Sequence, residues 1–457
     1  MRKMPFPGVN CCLTSVYLNK MNLAYLFLFS VALIATTDAG YVNPSLISKV
    51  RNNGAQDIII ELSPVIEQVE IRLRGLTGDA RVTALVTNLK HLISVAQAPY
   101  LKLASNLGLE FTSFWATNVI LLKHVDLNTL SEFTRMTGEF QLREQHTVSV
   151  PAVREMSTLS VDQGVQWGVE KVRAPEAWGV TQGENVAVGS IDTGVNLAHE
   201  AFVNNFAGAW RDPFYNSSTP NDVQGHGSHT LGVIVGQTNG IGVAPGAKWV
   251  ACRGLNNQGS GTEATLTDCA QWMIVAEPRP HIVNNAWGGG SGSTWFDPLV
   301  AAWKEAGIIP VFASGGSGPS CSSIGSPGDH SDVIAVGRTN PNDELVLGSG
   351  RGPSFAGQIK PDLVAPALNI VSAGPGNNNY VTMSGSSSGS FVSGAAALVI
   401  SANPGISADE VVGILRNSAF RPPISSPDDY CGPGPDSYPN NGYGYGRVDA
   451  ASAVGIN

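Results

Sequence analysis

The sequence predicts an α/β protein whose main unit is built on a buried, mostly parallel sheet and is preceded by a small α+β unit. Three observations carry this reading. Downstream of Trp167, near-continuous apolar runs alternate with helix-like stretches, as strands buried on both faces and joined by helical crossovers do. Upstream, residues 55–150 follow a split β-α-β order. In the downstream half an aspartate, a histidine and a cluster of serines sit in separate segments, each flanked by glycine or other small residues.

In the upstream unit, Asp57-Ile58-Ile59-Ile60-Glu61-Leu62 reads as a strand and residues 77–108 as a long amphipathic helix ended by Gly108. Residues 109–125 give one or two strands through Phe111, Phe114, Trp115, Val119, Ile120 and Leu122. A second helix is expected over 127–136 and a last strand over 140–142. The pattern is ferredoxin-like. His91, His124 and His146 are isolated in it, and no set of catalytic groups is apparent. A polar linker over 151–163 leads to the second unit, residues 164–457.

In the second unit, strands are expected at 185–191, 248–252, 281–285, 308–313 and 333–337, and helices at 227–235, 263–274 and 297–305. The working residues of such sheets collect at the carboxyl ends of strands. Asp192 follows the first of these strands directly.

Composition bounds the function. The 457 residues suffice for two domains, and 43% apolar content fits a globular chain. Only 14% of residues are charged and the net charge is -9, a poor match to nucleic acid or anionic lipid. Arg2, Lys3 and Lys20 precede the apolar run 23–35, and Thr37-Asp38-Ala39 resembles a small-residue cleavage site. Residues 21–39 therefore read as a signal peptide, with 1–20 as a gene-model extension ahead of Met21. The run is short for a membrane span, so a secreted protein is expected, without membrane association. Cys252, Cys269, Cys321 and Cys431 remain after cleavage and permit three pairings, of which Cys252–Cys269 with Cys321–Cys431 is preferred. Asn216-Ser217-Ser218 is a glycosylation acceptor sequence.

The chemistry lies in three segments: Ser190-Ile191-Asp192-Thr193-Gly194-Val195, Gly225-His226-Gly227-Ser228-His229-Thr230 and Met383-Ser384-Gly385-Ser386-Ser387-Ser388. Their order, Asp then His then Ser, is one of the three known orders of the nucleophilic serine triad. Asp192 would hold the imidazole tautomer, His226 would act as general base, and Ser387 is read as the nucleophile. Ser384-Gly385 fixes the turn just before Ser387, whereas counting back from the helix that follows selects Ser386. His229 reads as a packed structural residue. Gly385-Ser386-Ser387-Ser388-Gly389 matches the lipase elbow by letter, but the chain order excludes that class.

With these residues in view, the stretch 167–454 resembles the subtilisin-like serine proteases (subtilases) of the bacillopeptidase F-like branch. Further matches are Gly242-Val243-Ala244-Pro245-Gly246-Ala247, Lys360-Pro361-Asp362-Leu363-Val364-Ala365-Pro366 and Tyr443-Gly444-Tyr445-Gly446-Arg447-Val448. Ser113-Phe114-Trp115-Ala116-Thr117-Asn118 resembles the propeptide of that branch. The resemblance implies a three-layer sandwich and an endopeptidase made as a zymogen, with residues 55–150 as an inhibitory and chaperone propeptide. It also implies polypeptide substrates, the chain's own propeptide as a partner, and a monomer. Substrate-cleft strands would be carried by Gly259-Ser260-Gly261 and, after Asn285, by Ala286-Trp287-Gly288. No cofactor is implied for catalysis. A structural calcium ion is allowed, without assigned ligands, and Asp212, Asp222 and Asp297 read equally well as solvated carboxylates.

Two departures stand out. The family places Ala-Ala-Gly-Asn before the oxyanion hole, whereas this chain has Ala313-Ser314-Gly315-Gly316. Gly316 lacks the asparagine donor, and restoring it should raise turnover. The family's serine segment reads Gly-Thr-Ser-Met-Ala, a small residue, then Pro-His. Counted from Ser387, this chain is one residue short. These departures support an alternative reading, a catalytically impaired relative that binds peptides or inhibitors.

Overall fold

The structure, a computed structural model, describes residues 40–150, 164–424, 431–432 and 437–456. The expected signal peptide and the linker 151–163 lie outside the described residues.

The N-terminal unit includes elements ahead of residue 55, the bound expected from sequence. Its elements are β1 (Tyr41–Val42), α1 (Pro44–Asn53), β2 (Gln56–Leu62), α2 (Ile66–Arg72), α3 (Gly78–Asn106), β3 (Phe111–Ser113), β4 (Val119–Val125), α4 (Leu127–Phe133) and β5 (Phe140–Glu144). The five strands pair in the order β1-β5-β2-β4-β3. β1 escaped the sequence reading because a two-residue strand has no periodicity to detect. α1 buries only Leu46 and Val50 and starts at a local cap, the Asn43 side chain accepting from Ser45 N–H. α3 was legible because Val82, Leu85, Leu89, Ile93, Tyr100 and Ala104 repeat at three- and four-residue spacing and are all buried.

The second unit is a seven-stranded, wholly parallel sheet of β7 (Ala187–Asp192), β8 (Phe206–Arg211), β9 (Lys248–Arg253), β11 (Ile282–Asn285), β12 (Ile309–Ala313), β13 (Ile334–Thr339) and β14 (Leu363–Pro366). The order is β14-β13-β12-β11-β7-β9-β8, with every neighbouring pair parallel. All five expected strands and all three expected helices are present. The two strands the sequence did not announce are the edges. β8 (Phe-Ala-Gly-Ala-Trp-Arg) is half-exposed and interrupted by glycine, and β14 is four residues ending in proline; both weaken the apolar signal.

Alternate side chains of each strand feed opposite layers. Val188, Trp249, Ala251, Ile282 and Val311 face one core, with α5 (His226–Val235) and α8 (Ser388–Ala402). Ile191, Val250, Cys252, Val283 and Phe312 face the other, with α6 (Glu263–Val275) and α7 (Asp297–Glu305). α8 is apolar on nearly all sides, with twelve residues buried, because it lies in the core instead of capping it. The disulfides are Cys252–Cys269, which ties β9 to α6, and Cys321–Cys431.

The two units share a core. Ile66, Val69, Leu85, Leu89 and Ile93 of α2 and α3 join the α6–α7 layer with Met273, Leu299 and Trp303. At its polar edge, Arg143 donates to Glu263 in a bidentate pair at 2.6 and 2.8 Å, and its Nε donates to Glu61 at 2.6 Å. Arg143 and Glu263 are both buried. Beyond β5, β6 (Thr147–Ser149) leaves the N-terminal unit and pairs antiparallel with β10 (Ser260–Thr262).

Removing one partner of a buried pair strands the other charge. Arg143→Met should therefore destabilise the full chain by about 3–5 kcal/mol, read as a lower urea midpoint. An unchanged midpoint would show that the interface does not depend on this pair.

Candidate active site

The three segments meet at the carboxyl edge of the sheet, where the strand order reverses about β7. Asp192 is the last residue of β7, His226 the first of α5, and Ser386 lies two residues before α8. Asp192 Oδ1 accepts from His226 Nδ1 at 2.8 Å and from Thr193 N–H at 2.7 Å; Thr230 Oγ1 donates to Oδ2 at 3.3 Å. His226 Nε2 stands 2.5 Å from Ser386 Oγ. With Nδ1–H directed at the carboxylate, Nε2 is the free base and Ser386 the donor.

Close approach requires glycine at 227. A Cβ there would lie 2.1 Å from the Gly194 carbonyl oxygen, so a larger residue would push α5 away from β7. Asp222 closes the loop between them. It accepts from Thr193 Oγ1 and Gly225 N–H on one oxygen and from Ser228 N–H and Oγ on the other.

The nucleophile reading is corrected by one residue: the hydroxyl opposite His226 is Ser386, not Ser387. Gly385 has φ +122, a conformation suited to glycine, and this turn presents the residue that follows it. Ser387 is the N-cap of α8 and already has helical dihedrals, which swing its side chain to the other side. Its Oγ lies 3.3 Å from His229 Nδ1. Ser387 is 1% exposed and Ser386 7%, so Ser386 is the more reachable hydroxyl. Counting back from the helix gives this register. It also removes the apparent deletion: Ser384 to Phe391 then match the family's serine segment position for position, with Gly385 where the family has threonine.

His229 forms a second histidine–serine pair of different character. Its Nε2 donates to the Ile370 carbonyl at 2.8 Å, leaving Nδ1 to accept from Ser387. Burial drives its pKa down to about 4, and no carboxylate orients it. At His226 burial pulls the same way, but the charge and hydrogen bond of Asp192, with Asp222 behind, outweigh it and the pKa ends raised.

Both segments expected to form the cleft meet β6. Ser149 of β6 bridges Gly288, and Val150 N–H donates to the Gly259 carbonyl at 2.9 Å. Trp287 takes no part through its side chain, which is buried and donates Nε1 to the Ile191 carbonyl at 2.9 Å. Asp212 and Asp222, which read equally well as solvated carboxylates, are buried. Asp212 accepts from Arg253 at 2.9 Å and from Phe214, Tyr215 and Ser217. Oxygens so engaged do not fit a calcium ion, and among the described residues no cluster of three or more His, Cys, Asp or Glu could hold a metal.

NMR titration should find the His226 imidazole charging above about 6.5, the ordinary histidine value, and His229 still neutral well below that value, charging only near pH 4. The linkage signs are opposite. His226 adds stability below the unfolded pKa and loses it as pH rises through its folded value. His229 withdraws stability as pH falls from about 6.5 towards 4. Matching titrations of the two rings would contradict this geometry.

Comparison with known proteins agrees with the site. The chain is 37% identical over 336 residues to Bacillopeptidase F of Bacillus subtilis (strain 168), covering 66% of this chain and 23% of that protein. It is 32% identical over 311 residues to Serine protease AprX of the same organism, 60% of this chain and 66% of the relative. Against Subtilisin DY of Bacillus licheniformis it is 34% identical over 266 residues, 56% of this chain and 92% of the relative. The chain thus spans under two thirds of the first two relatives' lengths. Residues 183–446 match the Subtilase family, and the chain belongs to that family.

Proposed function

We propose that the chain is a secreted serine endopeptidase, made as a zymogen, with Ser386 as nucleophile, His226 as general base and Asp192 as the group that orients it. The observation that carries this reading is the continuous relay from Asp192 through His226 to Ser386, at 2.8 and 2.5 Å.

In the first half-reaction Ser386 Oγ attacks the scissile carbonyl carbon and its proton passes to His226 Nε2. The carbonyl π electrons move onto oxygen, and the oxyanion faces the Ser386 backbone N–H. Collapse of this intermediate breaks the C–N bond, and His226 returns the proton to the leaving amine. Water then repeats the sequence on the acyl-enzyme.

The course of β6 supports the zymogen. Residues 147–150 leave the N-terminal unit and add a strand between β10 and Gly288, the way a peptide adds to a sheet edge. On this reading the N-terminal unit is a propeptide whose tail fills the cleft as a substrate would, and cleavage falls in the segment after Val150. Secretion fits the two disulfides and the exposed Asn216 acceptor sequence. Among the described residues no helix is long and apolar enough to cross a membrane. We read the mature enzyme as a monomer acting on polypeptides.

Gly316 supports a second reading, an impaired relative that binds peptides without turning them over. A fluorophosphonate probe separates the two. It should label the processed wild type and Ser387→Ala but not Ser386→Ala; a folded, processed wild type that takes no label would favour the impaired relative. In the active enzyme Asp192→Asn should lower kcat by about 10⁴ through loss of the correct tautomer. Activity should fall as pH drops through the raised His226 pKa. A profile flat from pH 8 to 5 would contradict an imidazole base.

A further inference from the structure

The site lacks two side chains that its family supplies, and one arginine packs against both positions. A Cβ built on Gly316 would lie 3.6 Å from Arg338 Nη2 and 4.0 Å from Nη1. A Cβ built on Gly385, the residue before Ser386, would lie 3.5 Å from Nη1 and 3.9 Å from Cζ. The guanidinium therefore lies within van der Waals contact of the points where side chains at 316 and 385 would begin, the second of them next to Ser386.

Its anchoring is specific. Arg338 is on β13, its N–H donates to Ser349 Oγ at 3.0 Å, and its carbonyl accepts from Val346 at 2.9 Å. Nη2 donates to the Gly315 carbonyl. The residue is 5% exposed, its Nε is buried without a partner, and among the described residues Nη1 makes no hydrogen bond and no carboxylate pairs with the group. Three other buried arginines are matched by carboxylates: Arg143 with Glu263, Arg253 with Asp212 and Arg447 with Asp343. Burial lowers the Arg338 pKa to about 10, which leaves it charged at neutral pH.

An unmatched buried cation is costly and calls for an anion that arrives only during the reaction. We propose that Arg338 is a catalytic residue that supplies the second oxyanion donor in place of the missing asparagine. This inference rests on the serine-protease reading above. When Ser386 Oγ bonds to the carbonyl carbon and its proton moves to His226, the negative charge on the former carbonyl oxygen is met by Nη1–H of Arg338 and the Ser386 N–H. On collapse the charge returns to the carbonyl and the donor is released. A charged donor is stronger than an amide, and its charge acts mainly where negative charge develops.

In the wild-type background Gly316→Asn should not speed turnover, because the new side chain meets the guanidinium.

The test uses the full chain after processing, with a peptide p-nitroanilide as substrate. Arg338→Met keeps the stem and removes the donors; kcat should fall about 10²–10³ with KM changed little, and Arg338→Lys should fall less. Adding Gly316→Asn to Arg338→Met should recover at least tenfold, which a purely structural arginine would not allow. An active wild type with an equally active Arg338→Met overturns this proposal alone. A loss in Arg338→Met that Gly316→Asn does not recover, in protein with wild-type near-UV circular dichroism, also overturns it. A processed wild type that neither cleaves nor takes a fluorophosphonate overturns the protease reading, and this proposal with it.

Discussion

The Asp192 carboxylate is the constraint on which the active-site edge depends. It is 1% exposed, and a buried carboxylate survives only if its oxygens are occupied. Thr193 N–H, His226 Nδ1 and Thr230 Oγ1 occupy them. These groups come from the end of β7 and the first turns of α5, so satisfying one charge fixes the strand end and the helix start together. The imidazole is held in one tautomer as a consequence, and its other nitrogen is left facing the start of α8.

The parallel sheet explains why this convergence occurs at all. Strands buried on both faces need helical crossovers, and these return the chain so that β7, the start of α5 and the start of α8 open at one edge. That sheet was legible because buried strands are continuous apolar runs: 249–252 and 333–336 contain nothing else. Asp192 and His226 were legible for a related reason, since each sits at the boundary of a strong element. The serine was not. Five serines fall between residues 384 and 390, and their identities are the same whichever one is aimed at His226. Only the φ of Gly385 and the point where α8 begins decide between Ser386 and Ser387, and both are backbone properties. The apparent one-residue deletion was a product of that wrong register.

Long-range pairings were the other blind spot. Neither the Arg143–Glu263 pair nor the burial of Asp212 against Arg253 has a local signature. The partners are 120 and 41 positions apart in the chain. Arg338 shows the same limit most clearly. In sequence it is a single basic residue in Val336-Gly337-Arg338-Thr339, and nothing nearby connects it with Gly316 or Gly385. In the fold its guanidinium lies against both positions, so the feature that looked like a defect in the sequence becomes, on our proposal, a replacement of one donor by another.

The most direct test of this account is the crystal structure of the processed protein after reaction with a fluorophosphonate, whose phosphonyl oxygen stands in for the oxyanion. The account predicts phosphorus bonded to Ser386 Oγ, with that oxygen within hydrogen-bond distance of both the Ser386 N–H and Arg338 Nη1. Phosphorus on Ser387, or an oxygen turned away from the guanidinium, would contradict it.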